Sequence, residues 1–331
     1  MLSGRYMLTL RNCAMSLMLA FCVGNFPADA LAQRFPSKTV RYLVHDSAGS
    51  GTDTSGRIMA AGLAEVFGQQ VVVDNRGGAG GNIGADLAAK APADGYTILH
   101  MSMALAGNVT LYRNLPYDLV RDLSPISLIF MQTNLVVVHP SLPVKTIGDF
   151  VRLAKTKPGQ IDYATGGAGT GAFIATEMFK EAAGINLMHV PYKGGGPALA
   201  SLLAGETSVS FLPLATTLPH IRAGKLKLLA ATSSKRAPML PDAPTIAESG
   251  YPGYEAELRY GLMVPSKAPK EIVSTIHGAV TAALNNPAVG KRLNDLGYVP
   301  VGSTPDELAA VIKSEIAKLG TLLRRLGVTA D

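Results

Sequence analysis

VRYLVHDSAGSGTD, residues 40–53, is a β-branched run that breaks into small residues and then feeds a helical pattern. Val40 to His45 reads as a strand, SAGSGTD as the turn, and about Asp53 to Val66 as the helix. The plan repeats at once. Val71 to Asp74 (VVVD) is a second strand, and the glycine-rich turn Gly77 to Gly81 leads into a helix carrying Ile83, Leu87 and Ala88 on one face. Tyr96 to Met101 (YTILHM) is a third strand. Short strands alternating with helices are the mark of βαβ units, hence of an α/β fold with a parallel sheet.

A second series follows between Asp149 and Ala231. A helix from Gly148 to Thr156 precedes the strand IDYAT, the turn Gly166 to Gly171, and a helix from about Ala172 to Ala183. The strand LMHVPY ends in Lys193-Gly194-Gly195-Gly196, with a helix expected from Pro197 to Ala204, and VSFLPL and LKLLAAT are further strands. Lys270 to Leu326 reads as nearly all helical, interrupted at Pro287 and Gly297. Two series of one plan imply two doubly wound lobes. The helical tail is expected to return to the first, with Leu128 to Val138 and Glu257 to Pro265 as the two strands of a hinge. The expected division is residues 35–132 with 259–331 as lobe 1 and 133–258 as lobe 2.

Four glycine-rich turns lead into helices: 48–52, 77–81, 166–171 and 193–196. The first amides of a helix have no partner within it, and the helix dipole adds positive charge there, so a carboxylate or phosphate binds well. Any one of them is equally readable as a tight turn. A dinucleotide site is disfavoured, because the run Gly78 to Gly84 has one residue too many before its last glycine.

The remaining signals are mostly exclusions. Arg5 and Arg11 precede an apolar stretch from Cys13 to Gly24 that is too short to span a bilayer, followed by small residues. That is an export signal over residues 1–32, with cleavage expected after Ala32 or Ala30. Both cysteines lie inside it, so the mature chain has neither disulfides nor thiolate metal sites. The net charge of +6 falls to +5 without that segment, and no basic run interleaved with aromatics appears, which makes nucleic acid a poor partner. The six histidines (45, 100, 139, 189, 220 and 277) have no metal-ligand spacing, and there is no nucleophile elbow. No metal, no cofactor and no enzymatic activity are expected. His100 and His189 read as satisfied core histidines; His45 ends the first strand, and His45 with Asp46 as a base pair is the enzymatic rival.

Several stretches resemble one family in order and spacing. They include Gly49 with Thr52-Asp53, Val73 to Gly84, Asp94-Gly95-Tyr96-Thr97, Leu115-Pro116-Tyr117-Asp118, His189 to Gly194, Leu240 to Thr245, and Gly261-Leu262. The chain resembles the substrate-binding proteins of tripartite tricarboxylate transporters, the Bordetella uptake gene (Bug, TctC) family. That resemblance implies a type II periplasmic-binding-protein fold, a cleft between the lobes, a small organic acid as ligand, and the membrane permease of a tripartite transporter as partner. A monomer in the periplasm is expected; a sensory module for a membrane signalling protein needs the same binding and stays open. Carried onto this chain, the pocket comprises Ser47, Ala48, Gly49, Ser50, Thr52 and Asp53; Met101 and Ser102; Thr165, Gly166, Gly169, Thr170, Gly171 and Ala172; Tyr192 and Lys193; and Leu212 and Pro213. Asp53 is expected to cap its helix rather than touch ligand.

The departures from the family lie in the same pocket. The usual P-F-x-P-G-G turn is here His45-Asp46-Ser47-Ala48-Gly49-Ser50, a carboxylate for an aromatic wall, and both His45 and Asp46 join the candidate site. Leu212 and Pro213 stand for a polar pair, Phe173 for a histidine, and Arg259 for an aromatic. Arg259 is expected either to grip a carboxylate through its planar fork, or to pair with Asp46 or face solvent.

Overall fold

β1 (Val40–Val44) lies parallel to β2 (Val71–Asn75) on one side and to β3 (Thr97–Ser102) on the other, with Tyr42 opposite both Val73 and Ile98. β3 is buried along its whole length, so Ile98, Leu99 and Met101 do not alternate with exposed residues and even Thr97, His100 and Ser102 are buried. The structure is a computed structural model that describes residues 35–325, 327, 329 and 330. The expected signal segment 1–32 lies outside the described residues. From Lys38 onward the chain forms one unit, and Phe35 to Ser37, which belong to a separate preceding segment, contribute no strand or helix.

The sheet order is β2-β1-β3-β9-β4-β7-β5-β6, with β8 (Lys227–Ala231) and β10 (Val299–Pro300) also paired to β4. Here β4 is Leu123–Val138, β5 Asp162–Thr165, β6 Met188–Pro191, β7 Val209–Pro213 and β9 Glu257–Pro265. β9 is antiparallel to both β3 and β4, whereas β5, β6 and β7 run parallel to one another. β4 changes partner part-way along. Leu123 to Thr133 pair with β9, and Asn134 to Val138 pair with β7 and β8. The crossing strand thus begins at Leu123, five residues before the start expected from sequence, because Leu123 and Ile126 are also buried against β9.

Helix boundaries follow local capping. α1 (Gly51–Phe67) starts at Ser50, whose Oγ accepts the Asp53 amide at 3.1 Å, and stops at Gly68 with φ 62°. Asp53 is therefore not the cap: its carboxylate accepts the Gly49 amide at 2.9 Å and pairs with Arg57. α2 (Asn82–Ala89) corrects another expectation. Its buried face is Asn82, Gly84, Ala85 and Ala88, while Ile83 and Leu87 are 49% and 38% exposed. The helix lies so close to β1 that a Cβ on Gly84 would sit 2.7 Å from the His45 Cα, so small residues, not large apolar ones, mark the inner face. α3 is Ala104–Leu111, α4 (Ile147–Thr156) opens with a capping box between Thr146 and Asp149, and α5 is Gly171–Ala183. α6 spans Gly195–Ala204, two residues earlier than expected, and α7 spans Leu214–Arg222.

The C-terminal helices are α8 (Lys270–Leu284), α9 (Pro287–Asn294) and α10 (Pro305–Arg325). α8 packs on α1 and α10 on α3, so the tail does return to the elements of the first series. Among the described residues no helix is long and apolar enough to cross a membrane.

Beneath this sheet, Phe130 lies at 5.9 Å from His100, 5.4 Å from Tyr260 and 5.0 Å from Tyr298, centroid to centroid. His100 is fully buried and both ring nitrogens are used, Nδ1 with the Tyr42 hydroxyl at 2.8 Å and Nε2 with Ser55 Oγ at 3.0 Å. Burial, with a smaller push from His45, drives its pKa down to about 3. An unfolded histidine takes up its proton near pH 6.5, so below that value the unfolded chain binds one more proton than the folded one, and stability falls with pH. Unfolding free energy measured in urea between pH 6.5 and 4.5 should drop by about 1.4 kcal/mol per pH unit from this group. His100→Gln should reduce that slope by about one proton; an unchanged slope would contradict the assignment.

Candidate functional site

The carboxyl ends of β1, β3, β5 and β7 open on one cavity, the place where parallel α/β sheets bind ligands. About 570 Å³ of empty space, open solvent at its mouth included, lies between its walls. β1 delivers His45 and Asp46, β3 delivers Ser102, the turn after β5 delivers Gly166, and β7 delivers Leu212 and Pro213. Leu258 and Tyr260 of β9 and Asn134 of β4 close the side between these groups.

Two helices begin on the cavity wall. Thr170 caps α5 as Ser50 caps α1: its Oγ1 accepts the third amide, Phe173, at 3.4 Å. The fourth amide in each case goes to the backbone oxygen of the capping residue. Among the described residues the amides of Gly51, Thr52, Gly171 and Ala172 have no acceptor in the protein, and all four residues line the cavity. Four donors at two dipole ends make a positive wall without a charged side chain.

The third helix start behaves differently. The Gly195 amide of α6 donates to Asp46 Oδ1 at 3.2 Å, and that of Gly196 to Ser47 Oγ at 3.3 Å. The turn 193–196 was expected to offer its amides to ligand; instead, side chains of the first turn hold them. Lys193 is exposed and Tyr192 half-buried, and neither reaches the cavity wall. Glycine is needed for this approach. A Cβ on Gly194 would run into Ser47 and Asp46, one on Gly196 into the Ala48 carbonyl oxygen, and one on Gly51 would lie 2.5 Å from Pro213.

His45 is 5% exposed, and its Nε2 accepts the Ser102 amide at 2.8 Å. An acceptor at Nε2 leaves the proton on Nδ1, so the ring is neutral, and burial lowers its pKa accordingly, against an opposing pull from Asp46. The Nδ1–H has no partner. Asn134, 1% exposed, has no partner for either side-chain heteroatom. Among the described residues lining the cavity there is no lysine or arginine, and Asp46 is the acid.

Several expected site residues serve as supports. Thr165 Oγ1 bonds His189 Nε2 at 2.7 Å and accepts the Gly167 amide at 3.1 Å, fixing the turn from below. Met101 is fully buried in the core, Gly49 binds Asp53, and Gly169 (φ 82°) packs against Asn108. Ala48 touches Gly196 rather than the cavity. Arg259 is a correction. Neighbours along a strand face opposite ways, and with Leu258 and Tyr260 on the cavity Arg259 points into a second pocket, where Nη1 binds Glu315 at 2.7 Å. It neither reaches the cavity nor meets Asp46. Gly51 lies within the expected lining from Ser47 to Asp53; Gly78, Gly80, Gly81 and Gly195 line the cavity although the sequence pointed only to their turns, and Asn134, Leu258 and Tyr260 belong to strands expected to form the hinge.

The family model for the tripartite tricarboxylate transporter family receptor matches residues 56–328. The chain belongs to that receptor family. It is 34% identical to Protein BugT of Bordetella pertussis over 91% of this chain and 93% of that one. Its fold matches the periplasmic binding protein BugD with a TM-score of 0.86 at 33% identity, covering 89% of this chain and 99% of the other. It matches Rpa4515 of R. palustris, solved with adipate, equally well, at 0.86 and 34% identity over 89% and 99% of the two chains. The receptor fold is thus that of periplasmic binding proteins: two doubly wound lobes joined by β4 and β9.

Because the Gly196 Cα abuts the Ala48 carbonyl, Gly196→Ala should hold the two turns apart. Solution scattering should show a larger radius of gyration with an unchanged circular dichroism spectrum, and affinity for the bound solute should fall about tenfold if closure becomes tenfold rarer. An unaltered radius and affinity would refute this.

Proposed function

We propose that this receptor captures a small organic carboxylate between its lobes and presents it to the membrane permease of a tripartite transporter. Residues 35–132 with 259–331 serve as lobe 1 and 133–258 as lobe 2, and closure about β4 and β9 follows from ligand bonding to both. The carrying observation is the convergence of unpartnered amides from two helix starts, Gly51 and Thr52 from one and Gly171 and Ala172 from the other, on one cavity. A carboxylate has two oxygens with four lone-pair directions, which match four donors. The adipate held by the R. palustris relative supports the same ligand class. The chain acts as a monomer in the periplasm, reached through cleavage of residues 1–32, and its partners are the acid and the permease.

The reading includes no catalysis. The Ser102 amide occupies His45 Nε2, and among the described residues His45 Nδ1 has no bond to Asp46, so these two do not form an acid–base pair.

Mass spectrometry of the solute released from purified protein should find an organic acid, and calorimetry should give its affinity. The primary amide of that acid should bind about 10- to 100-fold more weakly, the worth of one or two charge-assisted hydrogen bonds. Equal binding of acid and amide would overturn the reading.

A further inference from the structure

The carboxylate site accounts for the starts of α1 and α5, but three buried polar atoms of two residues that line the same cavity remain unbonded. They are the Nδ1–H of His45, fixed as a donor by the Ser102 amide on the other nitrogen, and both the amide nitrogen and the oxygen of Asn134. Buried polar groups are rarely left so, and leaving them unpaired in a bound complex would weaken it. Asn134 is held in place from behind, since its backbone amide donates to Thr232 Oγ1 at 3.0 Å and its carbonyl accepts from the Thr232 amide at 2.9 Å. Its side chain supplies one donor and one acceptor, and His45 one more donor. A hydroxyl satisfies both kinds, and an oxo group accepts from either donor.

Charge decides between a neutral group and a second anion. A second carboxylate would share the cavity with Asp46 and find no lysine or arginine among its described lining residues. Nor would the α6 start accommodate it, since Asp46 Oδ1 already accepts the Gly195 amide. The starts at Gly51 and Gly171 are those assigned to the first carboxylate, and the 77–81 turn, whose Gly78, Gly80 and Gly81 also line the cavity, brings no cationic side chain to it.

We propose that the cavity selects a small carboxylate bearing an uncharged hydrogen-bonding group, a hydroxyl or oxo function, read by Asn134 and His45, and that Asp46 disfavours a second carboxylate. The selectivity rests on the carboxylate reading given above and sharpens it. It also separates this chain from the relative that holds adipate, a dicarboxylate.

The test is calorimetry on ligand-stripped mature protein with straight-chain acids of three to six carbons, in matched sets ending in methyl, hydroxymethyl or carboxylate, together with their 2-hydroxy and 2-oxo forms. At one chain length at least, a hydroxy or oxo acid should bind tenfold or more tightly than both its unsubstituted and its dicarboxylate counterparts. Asn134→Leu should erase the preference over the unsubstituted acid. Asp46→Asn, which keeps an acceptor for Gly195, should narrow the gap to the dicarboxylate. Tightest binding of a dicarboxylate, or a hydroxy preference that survives Asn134→Leu, overturns the selectivity while leaving carboxylate capture standing. Failure of every acid to bind sinks both. Because the ligand series is first measured on the unmutated protein, its ranking decides the selectivity even where a variant does not fold.

Discussion

A helix begins with more donors than it can satisfy. At Ser50 and Thr170 the capping side chain takes the third amide and the capping carbonyl the fourth, so the first two of each helix are surplus. Because the helices follow strands from different parts of the sheet, the surplus comes from two distant stretches of the chain and meets in one cavity. Most other features of the site keep that arrangement in place. Thr165 props the second turn, Asp53 and Asn75 brace the first, and Tyr260 and Leu258 exclude water from one side.

The same physics has the opposite outcome at α6. There a carboxylate of the protein itself takes the Gly195 amide and the neighbouring serine takes Gly196, which draws two turns together. Two glycines, at 194 and 196, make the approach sterically possible. The α6 start is therefore held by the protein's own side chains, while Gly51, Thr52, Gly171 and Ala172 keep amides without an acceptor.

The fold was legible because its strands and turns carry local signals: β-branched runs, glycine at helix starts, and the repeated βαβ plan. The site was legible where chemistry sits in those turns, as at His45, Thr52, Thr170 and Gly171, and, through the family resemblance, at Ser102, Leu212 and Pro213. Asn134 was not, because a polar residue within the run LIFMQTNLVVV gives no sign of which way it faces until β4 is known to change partners at that residue. Arg259 misled for a related reason: charge and planarity suit a carboxylate, but strand alternation turns it toward Glu315. The α2 face misled because large apolar residues lie outside a contact so tight that only glycine and alanine fit. Burial there is set by distance, which composition does not encode.

The placement of β9 bears on how the chain reaches this form. β3 and β4 flank it in space, yet the register pairs Leu99 with Met263 and Met131 with Arg259, so both strands are synthesised well over 100 residues ahead of the partner that joins them. Until Glu257 to Pro265 arrive, each presents an unpaired edge, and contacts this distant in sequence form slowly. A chain that cannot complete its central sheet before nearly four-fifths of it exists keeps those edges open for a long interval, the time at which it is most open to aggregation.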